Sequence, residues 1–329
     1  MHILIVHNAV IPVKLYGGTE RIIWYLGKEL ARLKHKVTYL VKKGSSCDFG
    51  TVIPIDESKE IWEQIPRGID VIHFQEQIKN IEKVKTPYVI TIHGNTNEQF
   101  HYDKNVIFVS KNHANRYNSD SFVYNGLDWD DYSKPTFSKK EYFHFLGHAA
   151  WRVKNVQGAI KTVTATRQEK IKIIGGVRFN INMGLRFTFS SRASFYGMVG
   201  GQRKNELLDT SKGLVFPVRW HEPFGLAITE SLFYGCPVFG TPYGSLPELI
   251  TDDFGFLSNK RKELTNAIEH AHEFSHKKCH EYALEKFNSQ KMALEYLNKY
   301  ERVMLGEFLN AKKPQLKEVQ TKKKLDWFE

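Results

Sequence analysis

Two glutamates, Glu222 and Glu230, stand eight positions apart on either side of a Pro-Phe-Gly turn. The turn should open a helix. The backbone amides of Phe224, Gly225 and Leu226 would then be unpaired donors that favour an anion such as a phosphate. Glu222 would lie in the loop beside that anion, and Glu230 deeper along the helix. A carboxylate beside a phosphate site indicates that hydroxyl groups are bound there too, and therefore a sugar or a ribose.

A second candidate for phosphate binding lies near the start of the chain, at Gly17 and Gly18. The pair follows a predicted strand at Ile3–Val6 and directly precedes a helix with Thr19 as its expected N-cap, where free amides and the helix dipole favour an anion. A lone glycine pair more often marks only a tight turn, so this interpretation depends on its position. The sequence after this strand lacks the G-x-G-x-x-G fingerprint of a dinucleotide dehydrogenase.

The segment from Glu222 to Glu230 resembles the E-x7-E motif of the family 4 (group 1) retaining glycosyltransferases, which have the GT-B fold. The likeness extends over nearly the whole chain. The other matching segments are Gly17-Gly18-Thr19-Glu20, Asp70-Val71-Ile72-His73, Thr91-Ile92-His93-Gly94, Tyr124-Asn125-Gly126-Leu127-Asp128, Phe145-Leu146-Gly147 with Lys154-Asn155, Gly235-Cys236-Pro237-Val238, and Gly244-Ser245-Leu246-Pro247-Glu248.

The resemblance implies retaining transfer of a sugar from a nucleotide-diphosphate sugar, with Glu222 and His93 as the catalytic residues. Glu222 would bind donor-sugar hydroxyls and Glu230 the ribose diol. His93 would lie at the reacting face, where it binds a sugar hydroxyl or steers the acceptor. No acidic residue is marked as a nucleophile of the kind that retaining glycosidases use. The expected route is therefore a same-face displacement in which the departing phosphate takes the acceptor's proton.

The resemblance also implies how the donor is held. Lys154 would bind the diphosphate. The family usually has an arginine where this chain has His148, and Arg152 is the candidate replacement for that arginine. Backbone around Gly175 and Val199 would contact the nucleotide base, which leaves UDP-, GDP- and ADP-sugars equally open as donors. These cationic groups and helix amides could neutralise the diphosphate without a metal. We therefore expect neither a metal nor a cofactor.

The order of apolar runs predicts an α/β protein of two Rossmann-like, doubly wound domains, which in the GT-B fold face a central cleft. We expect an acceptor-binding domain at 1–139, a donor-binding domain at 140–287, a helix at 288–305 that returns to the first domain, and a basic tail at 306–329. The expected strands are Ile3–Val6, Val37–Val41, Asp70–Phe74, Tyr88–Ile92, Val106–Val109, Phe122–Tyr124, Tyr142–Leu146, Lys170–Ile174, Phe195–Val199, Gly213–Phe216 and Pro237–Phe239.

The composition narrows the class of protein. The chain has 329 residues and a formal charge of +11, which favours anionic partners. Five basic residues and no acidic one lie between Arg178 and Lys204. These residues form either a solvated face or an anion site. No apolar run reaches the roughly 18–20 residues that span a bilayer, and the N-terminus lacks the features of a signal peptide. Three scattered cysteines suit a reducing compartment.

The expected function is therefore a cytoplasmic glycosyltransferase acting on a glycan or lipid-linked acceptor, in polysaccharide or lipopolysaccharide synthesis. An alternative localisation is peripheral, on the inner face of the membrane, through the tail around Trp327 and Phe328. The enzymatic alternative is a nucleotide-sugar epimerase or hydrolase on the same fold. A nucleic-acid-binding protein is suggested by charge alone and lacks any recognisable nucleic-acid motif, so nucleic acid is not an expected partner.

Overall fold

The computed structural model describes residues 1–13, 17–138, 140–180 and 186–329, with the side chains at 180 and 186 excepted. The chain forms two compact units. The first consists of Met1–Asp128 and Phe287–Gln320, and the second of Trp129–Lys286 and Thr321–Glu329. Each unit is therefore built from two separate segments of the chain.

The first unit is built on a parallel sheet in which the described residues form six strands, ordered β3-β2-β1-β4-β5-β6. This order is that of a doubly wound Rossmann-like sheet, whose ligand crevice lies at the carboxyl ends of the strands where the order reverses, between β1 and β4. The strands are β1 His2–His7, β2 Lys36–Val41, β3 Thr51–Pro54, β4 Val71–Phe74, β5 Tyr88–Ile92 and β6 Val106–Phe108.

The helices of the first unit come from both of its chain segments and are α1 Gly18–Arg32, α2 Lys111–Arg116 and α9 Ser289–Met304. Helix α9 packs on α1 and on β5. Its tyrosines reach buried polar groups of the sheet: Tyr300 Oη lies 2.7 Å from His73 Nδ1, and Tyr296 Oη lies 3.0 Å from Thr91 Oγ1. The later segment of this unit therefore completes its core.

The second unit repeats the same topology. Its described strands form a six-stranded parallel sheet ordered β11-β8-β7-β12-β13-β14, so the order reverses between β7 and β12. The sheet strands are β7 Tyr142–Leu146, β8 Ile171–Ile174, β11 Ala193–Phe195, β12 Ser211–Phe216, β13 Val238–Gly240 and β14 Gly255–Leu257, and a separate antiparallel pair is formed by β9 Phe179–Asn180 and β10 Arg186–Phe187.

The helices of the second unit alternate with these strands. They are α3 Val156–Thr164, α4 Gly201–Asp209, α5 Leu226–Phe233, α6 Leu246–Leu249, α7 Arg261–Glu269 and α8 His276–Lys286. Short 3₁₀ turns occur in both units, at Ile61–Gln64, Ile81–Lys83, Trp129–Asp131, Arg152–Lys154 and Ala271–Glu273. None of the helices among the described residues is long and apolar enough to cross a membrane.

Several sequence predictions differ from the structure. The segment Phe122–Tyr124 is not a strand and makes only an isolated bridge from Phe122 to Phe108. The strand expected at Phe195–Val199 lies earlier, at Ala193–Phe195. Residues 129–138 belong to the second unit, whereas the predicted boundary was 139/140.

The C-terminal residues 306–329 were expected to form a tail, and this prediction is wrong. Leu316 is buried in the core of the first unit, where the backbone amide of Tyr102 bonds the carbonyl of Pro314. Further along, the amide of Leu325 bonds the carbonyl of Arg219, and that of Phe328 bonds Asn259, both in the second unit. A few buried apolar anchors are enough to order an otherwise polar segment.

Candidate functional site

The predicted donor-site residues of the second unit follow the carboxyl ends of its strands. Gly147 follows β7, Gly175 follows β8, and the loop to Glu222 follows β12. This is the edge at which doubly wound sheets bind ligands. Gly175 has φ +114°, and a Cβ there would lie 2.1 Å from the carbonyl oxygen of Gly147, so only glycine permits this approach of the two loops.

Lys154 and Glu222 form a buried ion pair at this edge. Lys154 Nζ lies 2.6 Å from Glu222 Oε2, and their side chains are only 11% and 7% exposed. Trp220 donates from Nε1 to the same oxygen at 2.9 Å. The ammonium also lies 5.0 Å from the Trp220 ring centre and 5.2 Å from that of Phe216. The lysine charge is therefore held by a carboxylate and two aromatic faces.

The other oxygen of Glu222 is differently placed. Among the described residues, Oε1 has no hydrogen-bond donor. The carboxylate is thus oriented through Oε2 and retains accepting capacity through Oε1, which fits a group that binds a hydroxyl.

The loop carrying Glu222 is held by the loop that follows β13. Gly244 has φ +64°, and a Cβ on it would lie 2.2 Å from the backbone nitrogen of Glu222. Ser245 donates its amide to the Glu222 carbonyl at 2.9 Å and its hydroxyl to the Phe224 carbonyl at 2.6 Å. The two motifs that the sequence singled out separately are therefore one structural unit.

Helix α5 begins directly after this loop, at Leu226, with Gly225 as its N-cap at φ +91°. No described side chain caps this end. Its first amides and the positive end of the helix dipole are the kind of donors that bind anions. Phe224 is 2% exposed, so its side chain is packed in the interior and its backbone supplies the polar groups.

Glu230 lies within α5 and is fully enclosed. Tyr132 donates to Glu230 Oε1 at 2.8 Å, and Lys204 of α4 forms an ion pair with the same oxygen. Helix α4 has Gly200 as its N-cap and directly follows the loop that contains Val199, the candidate contact to the nucleotide base. The Lys204–Glu230 ion pair therefore connects the helix after that loop to α5. That Glu230 binds a ribose diol stays a prediction.

Arg152 and Lys154 share one 3₁₀ turn but differ in environment. Lys154 is buried against Glu222, whereas Arg152 is exposed. His148, at the position of the missing family arginine, stacks on Trp151 with ring centres 5.6 Å apart. The structure therefore brings Lys154 to Glu222, and it leaves the role of Arg152 as a prediction.

In the first unit, His93 follows β5 and faces Gln75, which follows β4. His93 Nε2 lies 2.8 Å from Gln75 Oε1. Because that oxygen can only accept, Nε2 carries the proton and Nδ1 keeps its lone pair. Burial, with a smaller contribution from neighbouring His7, lowers the pKa of His93 from 6.5 to about 3. The ring is therefore neutral near pH 7 and suited to accept a hydrogen bond.

Gly17 and Gly18 lie at the start of α1, also in the first unit. The helix begins at Gly18, so Gly17 and not Thr19 is the N-cap, and no described side chain caps this helix. Arg21 donates from Nε to the Gly17 carbonyl at 3.3 Å. The predicted phosphate loop thus ends at the start of a helix, and residues 14–16 just before it lie outside the described residues.

The basic stretch from Arg178 to Lys204 is not one anion site. Arg178 donates to the carbonyls of Thr188 and Ser190, and Arg192 to those of Thr164 and Thr166. Lys204 pairs with Glu230, and the side chain of Arg186 lies outside the described residues. The residues that sequence reasoning missed as site members are Trp220, Lys204, Tyr132 and Gln75. Only Lys204 had a signal, as a member of this stretch.

In the parts of the chain that the structure describes, no group of three or more His, Cys, Asp or Glu side chains is placed to hold a metal ion. Independence from metal stays a prediction.

Comparison with known proteins adds to this geometry. Residues 140–273 match the family model described as "Glycosyl transferases group 1". The match covers Lys154, Glu222 and Glu230. These findings support a group 1 glycosyltransferase. A curated relative, an uncharacterized 41.2 kDa protein in the cps region of Klebsiella pneumoniae, is 33% identical over 114 residues, which are 32% of this chain and 31% of that protein. The matched part thus spans about a third of the relative's length.

Solved glycosyltransferase structures share the fold. AviGT4, a glycosyltransferase involved in avilamycin A biosynthesis, has a TM-score of 0.72 at 18% identity over 92% of this chain and 98% of its own. Anabaena Alr3699/HepE in complex with UDP-glucose has a TM-score of 0.65 at 16% identity, over 92% of this chain and 99% of its own. At such identities the likeness concerns the fold alone. It confirms the predicted α/β GT-B fold with two Rossmann-like units.

Proposed function

We propose that this protein is a retaining glycosyltransferase that moves a sugar from a nucleotide-diphosphate sugar to a hydroxyl of a glycan or lipid-linked acceptor. The observation that carries the proposal is the buried Lys154–Glu222 pair at the start of α5. An ammonium and the first amides of a helix suit a diphosphate, and a carboxylate with an accepting oxygen suits a sugar hydroxyl. Retention of configuration rests on the family resemblance.

In the proposed reaction, Lys154 and the α5 amides stabilise the charge that grows on the leaving diphosphate as the anomeric C–O bond breaks. Lys154 Nζ lies 2.6 Å from a carboxylate oxygen of Glu222. A diphosphate would share that ammonium, and Glu222 would stay oriented by the Trp220 indole. The positive charge is thus in place before the donor arrives, so little reorganisation is needed.

The acceptor oxygen forms its bond to the anomeric carbon on the face from which the phosphate leaves, and the acceptor's proton passes to the departing phosphate oxygen. His93 takes no proton in this scheme, because a group of pKa about 3 is a weak base near pH 7. Its neutral Nδ1 accepts a hydrogen bond from a sugar hydroxyl and so orients it.

The setting of the reaction is also part of the proposal. The Klebsiella pneumoniae relative comes from a cps region, and the HepE structure contains UDP-glucose. The first supports a role in the synthesis of a surface polysaccharide or lipopolysaccharide, and the second supports a nucleotide-sugar as the donor. We place the protein in the cytoplasm and assign it no metal and no cofactor.

The test begins with calorimetric titration of UDP, GDP and ADP, with and without EDTA. We expect one diphosphate to bind and EDTA to have no effect. In a transfer assay with the matching sugar donor, Glu222→Gln should lower turnover by at least about 100-fold and change diphosphate affinity by no more than a few-fold. Glu263→Gln, an exposed glutamate of the same unit, serves as the matched control.

Other results would contradict the proposal. Donor breakdown at the full rate without any acceptor would indicate a nucleotide-sugar hydrolase, and sugar inversion within the donor would indicate an epimerase. Failure of all three diphosphates, with nucleic acid bound instead, would remove the enzymatic interpretation.

A further inference from the structure

Three phenylalanines form an exposed surface, here called the aromatic face, on and just after the antiparallel pair β9–β10 of the second unit. This pair is called the hairpin below, and residues 181–185 between its strands lie outside the described residues. Phe179, Phe187 and Phe189 are 55%, 46% and 86% exposed. Phe179 and Phe187 are cross-strand partners with ring centres 5.9 Å apart, and Phe187 and Phe189 lie 4.4 Å apart. Large apolar side chains clustered in water mark an interaction surface more often than isolated ones do.

The opposite side of the hairpin is held in the body of the unit, so the outward direction of the rings is fixed. Thr188, between two exposed phenylalanines, is buried. The Arg178 guanidinium donates to the carbonyls of Thr188 and Ala193 and lies 5.4 Å from the Phe195 ring centre. A strand with one buried and one exposed face obeys the alternation of a pleated sheet. Here the apolar side chains of Phe187 and Phe189 face solvent, and the polar side chain of Thr188 is buried.

The residues before and after this hairpin in the sequence carry an excess of positive charge. Between Lys170 and Asn205 there are seven Lys and Arg residues and no Asp or Glu, and of these Lys204 pairs with Glu230 and Arg203 with Glu206. Arg178 and Arg192 meet backbone carbonyls, which satisfy their hydrogen bonds without neutralising the charge. The aromatic face therefore projects from a positively charged part of the chain.

We propose that the aromatic face binds the surface of a lipid bilayer that contains anionic lipids. Aromatic rings partition into the headgroup boundary of a membrane, and nearby Lys and Arg are attracted to anionic headgroups. This combination favours a membrane over a protein partner, whose apolar contact surface would not require an excess of one charge. The proposal does not depend on the proposed transfer reaction, because its readout is binding to vesicles.

The test is co-sedimentation of the full chain with vesicles of pure phosphatidylcholine and with vesicles containing 30% phosphatidylglycerol. We expect binding to the anionic vesicles about 10-fold tighter than to neutral ones, and weaker in high salt. The double variant Phe187→Ser/Phe189→Ser should lower binding to anionic vesicles by at least about 10-fold, since each ring loses its transfer into the boundary. Phe189→Trp should bind at least as tightly as the unchanged protein.

The matched control is Leu305→Ser/Phe308→Ser, another exposed apolar pair, at 80% and 59% exposure in the first unit. It should bind vesicles within twofold of the unchanged protein. Should the hairpin double variant unfold, Phe189→Ser alone tests the proposal, because that side chain is 86% exposed. Equal binding by the hairpin and control variants, or no binding to anionic vesicles, overturns the proposal. So does a dimer in light scattering that the hairpin variant dissociates.

Discussion

Neutralising both members of the Lys154–Glu222 pair measures how much their buried ion pair contributes to the stability of the second unit. The replacements are Lys154→Met and Glu222→Gln, alone and together. Each single change leaves the other group buried beside Trp220, whereas the double variant leaves no unpaired charge.

The magnitude follows from distance and burial. At 2.6 Å and an effective dielectric constant of about 20, the attraction is about 6 kcal/mol, most of which the desolvation of two ions offsets. Leaving one buried ion unpaired costs about 3–5 kcal/mol. Because both side chains keep slight exposure, we expect about 3 kcal/mol for Lys154→Met. Gln can still accept from the indole, so we expect about 2 kcal/mol for Glu222→Gln and a similar cost for the double variant, which gives a coupling of about 3 kcal/mol.

Scanning calorimetry is the assay, and the transition of the second unit is the one that bound nucleoside diphosphate raises. A loss of about 3 kcal/mol should lower that transition by about 6–12 °C in a domain of this size. Lys212→Met is the matched control: its ion pair with Glu169 is 2.7 Å long but 31% and 19% exposed. It should cost less than about 1 kcal/mol.

Ligand binding supplies the second half of the same prediction. Lys154→Met should weaken the diphosphate by about 30-fold or more, as expected for a lost charge-assisted bond, and leave the affinity for the nucleoside unchanged. Equal losses for diphosphate and nucleoside would refute the assignment of Lys154. Additive costs in the double variant would refute the buried pair itself.

Three further predictions concern other parts of the site. Trp220→Phe removes the donor to Glu222 Oε2 and should lower kcat/KM by about 5–10-fold with diphosphate affinity unchanged, which steady-state kinetics and titration would check. The pKa of His93 is about 3 in the folded protein and about 6.5 in the unfolded chain, so the unfolded chain takes up the proton first as pH falls. The first unit should therefore lose stability between about pH 6.5 and pH 3. His93→Gln should reduce that loss, which urea unfolding at about pH 7 and about pH 4.5 would measure. Gly244→Ala places a Cβ 2.2 Å from the Glu222 nitrogen and should destabilise the second unit by about 2–4 kcal/mol, against about 1 kcal/mol for Gly306→Ala, whose Cβ meets nothing within 4 Å. A similar cost at both glycines would contradict the proposed contact between the loops.

The strands at the centre of each sheet were predictable because they are buried on both faces and therefore nearly continuous in apolar residues. The outermost strands Thr51–Pro54 and Gly255–Leu257 were missed, since they are short, partly exposed edge strands with little pattern. The Ala193–Phe195 strand was shifted for the same reason. The edge strand Val106–Phe108 was predictable because it is buried throughout and so keeps a continuous apolar run.

For the site, the sequence indicated which residues matter but not which of them meet. Lys154 and Glu222 were both candidates, yet their pairing depends on how the β7 and β12 loops converge. Trp220 had no signal, because no local pattern shows that its indole reaches the Glu222 carboxylate. The neutral state of His93 depends on burial by distant segments, which no local pattern encodes.

The division of the chain into units has a consequence for how the protein is made. The first unit needs Phe287–Gln320, including the tyrosines of α9 that reach the centre of its sheet, but those residues are synthesised after nearly all of the second unit. Domains usually fold as they emerge from the ribosome, the N-terminal one first. Here the first unit departs from that order, because its last segment emerges only near the end of synthesis. The N-terminal sheet must wait with part of its core uncovered, so this chain has a long interval during synthesis in which it depends on protection from aggregation.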